Sequence, residues 1–311
     1  MPRASVLMSV FNGAEFLAAS LDSVLAQTFG DFEFIIIDDG STDRSAEIVA
    51  GYSDPRIVLI RQENRGIAAA LNRGLELARG EYIARQDADD ISLPERFARE
   101  VRFLDTHPDV AVLGTGAMLI DSDGRPFSRF MPFTRHEQIV KELLRGVCLL
   151  MHGSVMIRRE AILEVGGYRR IFSHAQDVEL WLRMSARYRL ANLREVLYYY
   201  RRHDESVTQQ AHIDLKIKAF ANAGKFSTST SADDWVRFVE DFDGNFAGSW
   251  RERAFQAENL LRDARIAFAR GRPLRGMRYL GGAMRLYPGL AAELPGRIWS
   301  RLRRTVSPIP S

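Results

Sequence analysis

The chain has 311 residues, 46% hydrophobic and 27% charged, with a net charge of +3, a composition that suits one large globular domain or two smaller ones with a substantial core. Its one cysteine, Cys148, excludes an internal disulfide and a cysteine-rich zinc site, and suggests a reducing, cytoplasmic setting. No stretch approaches ~18 uninterrupted apolar residues, so no transmembrane helix is expected, and residues 1–6 lead into a strand-like run without the hydrophobic core of a signal peptide.

The first half alternates. SVLMSV (5–10) reads as a strand, Asn12-Gly13 as a turn, and Phe16, Leu17, Leu21, Val24 and Leu25 as the apolar face of a helix. FEFIIIDDG (32–40) has the continuous apolar run of a central strand covered on both faces. A helix is expected over 42–50, capped by Ser41 or Thr42. Further strands are expected at 56–60, 81–84 and 110–114, with helices over 66–79 and 94–106 between them. This alternation predicts an α/β domain with a mainly parallel central sheet. Between 121 and 150 the pattern weakens. Helices return at 159–165 and 177–188, and LREVLYYYRR (193–202) reads as a strand. Beyond about 210 the chain reads as helical, with the low-complexity run STSTS (227–231) as a candidate joint. The expected division is therefore 1–210 and 211–311.

Charge is unevenly spread. Residues 251–311 hold 13 arginines, no lysine and four acids, a net +9, so the first 250 residues carry −6. The basic tail is a candidate for peripheral contact with an anionic membrane, set against solvated arginines on helix faces. Met277, Leu280, Met284 and Tyr287 share one helix face there, a stripe that reads as core packing rather than as a membrane face.

Two acidic clusters stand at strand ends. Asp38-Asp39 closes the second strand, and ARQDADDIS (84–92) places Asp87, Asp89 and Asp90 after the fourth. In an open α/β sheet, ligands bind beyond the carboxyl ends of the strands. Turn and cap chemistry explains either cluster alone but poorly explains two at matching positions. Crowded carboxylates repel, so a cation is expected among them. Mg²⁺ takes one or two carboxylates and fills its shell with water and substrate phosphates, which suits a metal–diphosphate site. No GxxxxGK[ST] loop is present, and no GxGxxG follows the first strand.

In order and spacing, SVLMSVFNGAEFL (5–17), SVLAQTFGDFEFIIIDDGSTD (23–43), NRGIAAALNRGLELARGEYIARQDADD (64–90), HGSVMIRREAILEVGGY (152–168) and QDVELWLRM (176–184) resemble the family 2 inverting glycosyltransferases of GT-A fold. The resemblance covers about residues 4–208. It implies that Asp39 hydrogen-bonds the nucleotide base, with Phe11 stacked on it and Ser9 beside it. Asn64 and Arg65 match the loop bordering the nucleotide. Asp87 and Asp89 match the DxD pair, the first holding sugar or ribose, the second ligating Mn²⁺ or Mg²⁺, with Asp90 as a supporting carboxylate. Asp177 matches the general base that deprotonates the acceptor hydroxyl, although a helix cap is the plainer reading of the same residue, and Glu179 is a fallback base. Gln176 stands where the family usually has glutamate, which removes a supporting carboxylate. Arg202 and His203 match a basic motif near the diphosphate, with His203 a ligand of the metal or the phosphates. His152 falls on the acceptor side, more as a hydrogen-bonded structural residue than as a ligand. His107 and His136 read as surface residues.

The implied activity is metal-dependent, inverting transfer from a nucleoside-diphosphate sugar to a glycan, polysaccharide or lipid-linked acceptor. The expected location is cytoplasmic, at the inner face of the membrane. No nucleic-acid partner is expected. No QxxRW motif follows the base region, so transfer of one or a few sugars is expected rather than polymerisation. A non-catalytic nucleotide-sugar-binding module is the alternative. Nucleotidyl transfer is weaker, because no Gly-rich, basic phosphate loop opens the chain.

Overall fold

The computed structural model describes residues 1–144, 148–170, 172, 176–203 and 273–286. The chain divides into two compact units, Met1–Ala232 and Asp233–Ser311. The expected boundary near 210 and the STSTS run lie outside the described residues.

In the first unit, β1 (Ala4–Val10), β2 (Phe32–Asp38), β3 (Ile57–Arg61) and β4 (Tyr82–Asp87) run parallel in the order β3-β2-β1-β4. Helices α1 (Ala14–Leu25), α2 (Ser45–Ala50) and α3 (Ile67–Leu77) link them. Every residue of β2 is buried, which is why apolar residues fill both of its faces rather than alternating, and its buried Glu33 is paired with Arg79 at 2.6 Å. Phe34 and Leu7 are wholly buried, and burial of each such side chain contributes about 1.5–3 kcal/mol. Helix α4 (Arg96–Thr106) buries Phe97, Val101 and Leu104, at three- and four-residue spacing, against this core.

The sheet continues from β4 through β8 (Met156–Arg158), β6 (Val110–Ile120), β9 (Arg189–Arg201) and the two-residue β5 (Ile91–Ser92). Here antiparallel pairing predominates, with β6 and β9 parallel. β7 (Pro126–Phe130) pairs with β6, and α5 (His136–Leu144), α6 (Arg159–Glu164) and α7 (Gln176–Ser185) are the further helices among the described residues of the unit. The weakly patterned stretch 121–150 thus holds a hairpin strand and a helix. His136 is half-buried rather than a surface residue, its Nδ1 accepting from the Leu190 N–H at 3.1 Å.

α2 starts at Ser45, later than expected, without a Ser41 or Thr42 cap. Asp43 accepts from the Ser45 N–H at 2.9 Å, while the Ser41 hydroxyl accepts from the Asn12 N–H at 3.0 Å. In the second unit α8 (Pro273–Leu286) is described, with Leu274 87% and Met277 59% exposed. No helix among the described residues is long and apolar enough to cross a membrane.

Candidate functional site

The strand register brings the acidic clusters to one edge. Ser9 pairs with Asp87, and Val10 with Asp38, so the ends of β1, β2 and β4 are level. The loops beyond β1 and β2 are stitched together. Asn12, with φ of 51°, accepts from the Thr42 N–H at 2.9 Å through its side chain. The Gly13 N–H donates to Ser45 Oγ at 3.0 Å, and the Ala14 N–H to Asp43 Oδ2 at 2.9 Å. Phe11 stands at this edge, 52% exposed.

Asp38 and Asp39 have different roles. Asp38 is fully buried and holds its own turn, accepting from the Ser41 N–H at 2.9 Å and Arg61 Nε at 3.1 Å. Asp39 Oδ1 accepts from Gln62 Nε2 at 2.6 Å and the Arg65 N–H at 3.0 Å. Asp39 therefore fixes the 62–65 loop, and its Oδ2 has no hydrogen-bond partner among the described residues. Gly40 lets this loop approach, because a Cβ there would lie 2.7 Å from the Asn64 nitrogen.

The turn from β4 to β5 carries the other three carboxylates. Asp87 is held by the Arg85 guanidinium. Asp90 is buried, and its Oδ1 accepts from the Arg201 N–H at 2.7 Å. Among the described residues its Oδ2 has no partner of ordinary geometry, although the Tyr198 hydroxyl is close enough to lower its pKa in part. Burial, reinforced by Asp89 and Asp87, pushes the Asp90 carboxyl well above the usual range. Burial also raises Asp87, with Arg85 opposing and Asp89 adding to the rise.

Pairing of Ile91 with Tyr199 and of Ser92 with Tyr198 returns the end of β9 to this turn. His203 Nε2 consequently sits 3.0 Å from Asp89 Oδ2, across 114 positions of sequence. The His203 ring packs on Phe16 at 5.0 Å between centroids, and the Arg201 guanidinium lies over the same ring at 4.6 Å. Arg201 Nε donates to the Asp89 carbonyl at 2.8 Å. The Arg202 N–H donates to the Ile120 carbonyl at 2.9 Å. Among the described residues no group of three or more His, Cys, Asp or Glu side chains is arranged to hold a metal. Asp89 and His203 supply two converging donors, an oxygen and a nitrogen.

Asp177 lies in the first turn of α7, and its charge reaches the Tyr168 hydroxyl. Glu179 is 2% exposed and paired with Arg183 at 2.6 Å and Arg169 at 3.1 Å. That double ion pair removes it as the fallback base. His152 is half-buried and hydrogen-bonded, as a structural residue would be.

Sequence reasoning missed the buried polar residues beneath the turn. Arg96 Nη1 donates to Ser92 Oγ at 2.8 Å and Gln86 Oε1 at 3.3 Å, and Nη2 to the carbonyls of Arg85 at 2.8 Å and Val155 at 3.2 Å. The signal was Arg85-Gln86 inside an otherwise apolar strand, because a buried arginine requires several acceptors.

The profile of "Glycosyl transferase family 2" matches residues 5–166. EpsE of Bacillus subtilis is 37% identical over 218 residues, covering 68% of this chain and 77% of that protein. The O-antigen biosynthesis glycosyltransferase WbnJ of Escherichia coli is 33% identical over 213 residues, covering 67% and 82%. Among solved structures, S. aureus TarS 1-349 in complex with UDP-GlcNAc aligns with a TM-score of 0.60 at 18% identity, covering 92% of each chain. The mannosyltransferase PcManGT from Pyrobaculum calidifontis, in complex with GDP-Man and Mn2+, aligns at 0.56 and 20% identity, covering 92% of this chain and 88% of that one. The fold is GT-A. The chain belongs to glycosyl transferase family 2, and it is a glycosyltransferase.

Proposed function

We propose that this enzyme transfers a sugar, with inversion, from a nucleoside-diphosphate donor to a glycan, polysaccharide or lipid-linked acceptor. The observation that carries the proposal is the 3.0 Å approach of His203 to Asp89 on the edge where Asp38 and Asp87 end their strands and Asp39 follows. The Asp89 oxygen suits Mn²⁺ or Mg²⁺, the His203 nitrogen favours Mn²⁺ of the two, and two protein ligands rather than a closed cage suit a cation that also takes substrate phosphates. When bound, that cation neutralises charge developing on the leaving diphosphate.

Asp39, Asn64 and Arg65 border the nucleotide, with Phe11 stacked on the base and Ser9 beside it. Asp87 holds the ribose or sugar, Arg202 faces the diphosphate, and Asp177 takes the acceptor proton. Donors named with TarS and PcManGT, UDP-GlcNAc and GDP-Man, support a nucleotide-sugar substrate. The names of WbnJ and of the amylovoran biosynthesis glycosyltransferase AmsE of Erwinia amylovora support a glycan acceptor. Residues 1–210 form the catalytic part. The exposed Leu274 and Met277 beside Arg278 and Arg285 support docking of α8 on the inner membrane face.

The test is Asp177→Asn. Loss of a general base lowers turnover by about 10²–10⁴-fold while nucleoside-diphosphate affinity holds. Unchanged turnover would remove Asp177 from this role.

A further inference from the structure

The loop before α7 and the end of β4 are joined by a continuous chain of contacts. Arg85 is fully buried, and its guanidinium grips Asp87 with one nitrogen while Nε donates to His152 Nε2 at 3.3 Å. The Tyr168 hydroxyl lies 2.8 Å from the same His152 nitrogen. The His152 ring meets Tyr168 edge-on at 5.6 Å and Trp181 edge-on at 6.1 Å. Trp181 is fully buried on α7, one turn after Asp177.

The hydrogen-bond directions follow from donor inventory. An arginine has no acceptor, so His152 Nε2 must offer its lone pair, and the ring proton lies on Nδ1. The Tyr168 hydroxyl then donates to Nε2 as well. Burial, with Arg85 adding to it, holds the His152 pKa well below its usual value, so the ring stays neutral.

Tyr168 is itself fixed by its backbone. Its N–H donates to Asn72 Oδ1 at 2.8 Å, and its carbonyl accepts from Asn72 Nδ2 at 2.6 Å. Gly166 and Gly167 turn the chain with φ of 83° and 65°. Arg183 of α7 donates to the Gly167 carbonyl at 2.7 Å and also to the Val165 carbonyl.

We infer that His152 and Tyr168 are positioning residues for sugar transfer: with Arg85 they form a strut that keeps α7, and Asp177 with it, in register with Asp87. The inference deepens the proposed function and rests on Asp177 being the base. A strut of this kind acts on the relative placement of base and donor, and a misplacement of about 1 Å costs as much as 10²-fold in rate.

The experiment compares Tyr168→Phe, His152→Leu, the double variant and Tyr188→Phe, whose hydroxyl bonds Glu164 away from this network. Nucleoside-diphosphate release is followed from whichever UDP-, GDP- or dTDP-sugar the wild type turns over, with calorimetric nucleotide affinity and melting temperature alongside. In Tyr168→Phe, turnover at saturating donor falls about 10- to 100-fold, while nucleotide affinity stays within about twofold. The double variant falls no further than the worse single, because both remove one strut. Tyr188→Phe leaves turnover unchanged. In ¹⁵N-histidine spectra of the wild type, the His152 proton resides on Nδ1. Unchanged turnover in Tyr168→Phe, or a proton on Nε2, would overturn the inference. Equal turnover in Asp177→Asn would instead defeat the base assignment on which it rests.

Discussion

Glu100→Gln makes the protein more stable at neutral pH. Glu100 is wholly buried on α4, and its carboxylate lies 3.2 Å from Arg96 Nε. Among the described residues, neither carboxylate oxygen has a further hydrogen-bond partner. Burial pushes its pKa up from 4.5 to about 8, with the pull of Arg96 only partly opposing. The raised folded pKa sets the sign. Stability from this group is complete below pH 4.5, where both states are protonated, and is lost progressively up to pH 8 as the unfolded chain ionises and the folded one does not. Glutamine mimics the neutral acid, keeps its shape and cannot ionise. At about 1.4 kcal/mol per pH unit, its advantage is under about 1 kcal/mol at pH 5 and at most about 4 kcal/mol at pH 7.5. Urea unfolding followed by circular dichroism at these two pH values measures the difference. Because Arg96 holds the β4–β5 turn through Ser92, Gln86 and two carbonyls, the variant also keeps wild-type nucleotide affinity. A variant destabilised at pH 7.5 would refute the reasoning, since it would mean that an ionised Glu100 repays its burial through Arg96.

Gly153→Ala disables the site from beneath. A Cβ there would lie 2.5 Å from Asp87 Oδ2 and against the Tyr198 hydroxyl, so overpacking costs about 1–3 kcal/mol and displaces Asp87. Turnover falls at least about tenfold, and wild-type turnover with an unchanged melting temperature would contradict this. For membrane docking, Leu274→Asp with Met277→Asp in the full chain weakens co-sedimentation with phosphatidylglycerol vesicles by at least about tenfold, since two exposed apolar contacts are lost. Equal sedimentation of both proteins, or none by the wild type at low salt, would remove α8 from that role.

The parallel half of the fold was legible because its strands are short apolar runs and its helices carry apolar faces at three- and four-residue spacing. Asp38-Asp39 and Asp87/Asp89/Asp90 could be assigned to one edge because parallel strands share a carboxyl end. β5 and β7 were not legible. The first is two residues long, and the second is a largely exposed edge strand (PFSRF) without an alternating apolar face. The start of α2 was misjudged because capping preference sees only local residues, whereas Ser41 is recruited by Asn12 from another loop. The largest omission was the buried polar layer of Arg85, Gln86, Arg96 and Tyr198. Its members come from β4, α4 and β9, and no periodicity marks a polar group that is buried because its partners are. The His203–Asp89 contact was readable as two candidate residues, but their meeting depends on the β5–β9 pairing.

The central claim is that Asp89 and His203 hold a divalent cation together with a sugar nucleotide's diphosphate. Calorimetric titration with UDP, GDP and dTDP, each with and without Mn²⁺, tests it most directly when wild type, Asp89→Ala and His203→Ala are compared. The account predicts that one nucleotide binds the wild type at least about tenfold more tightly with Mn²⁺, and that both variants lose this gain. Binding that ignores Mn²⁺, or that keeps its Mn²⁺ dependence in Asp89→Ala, would contradict it.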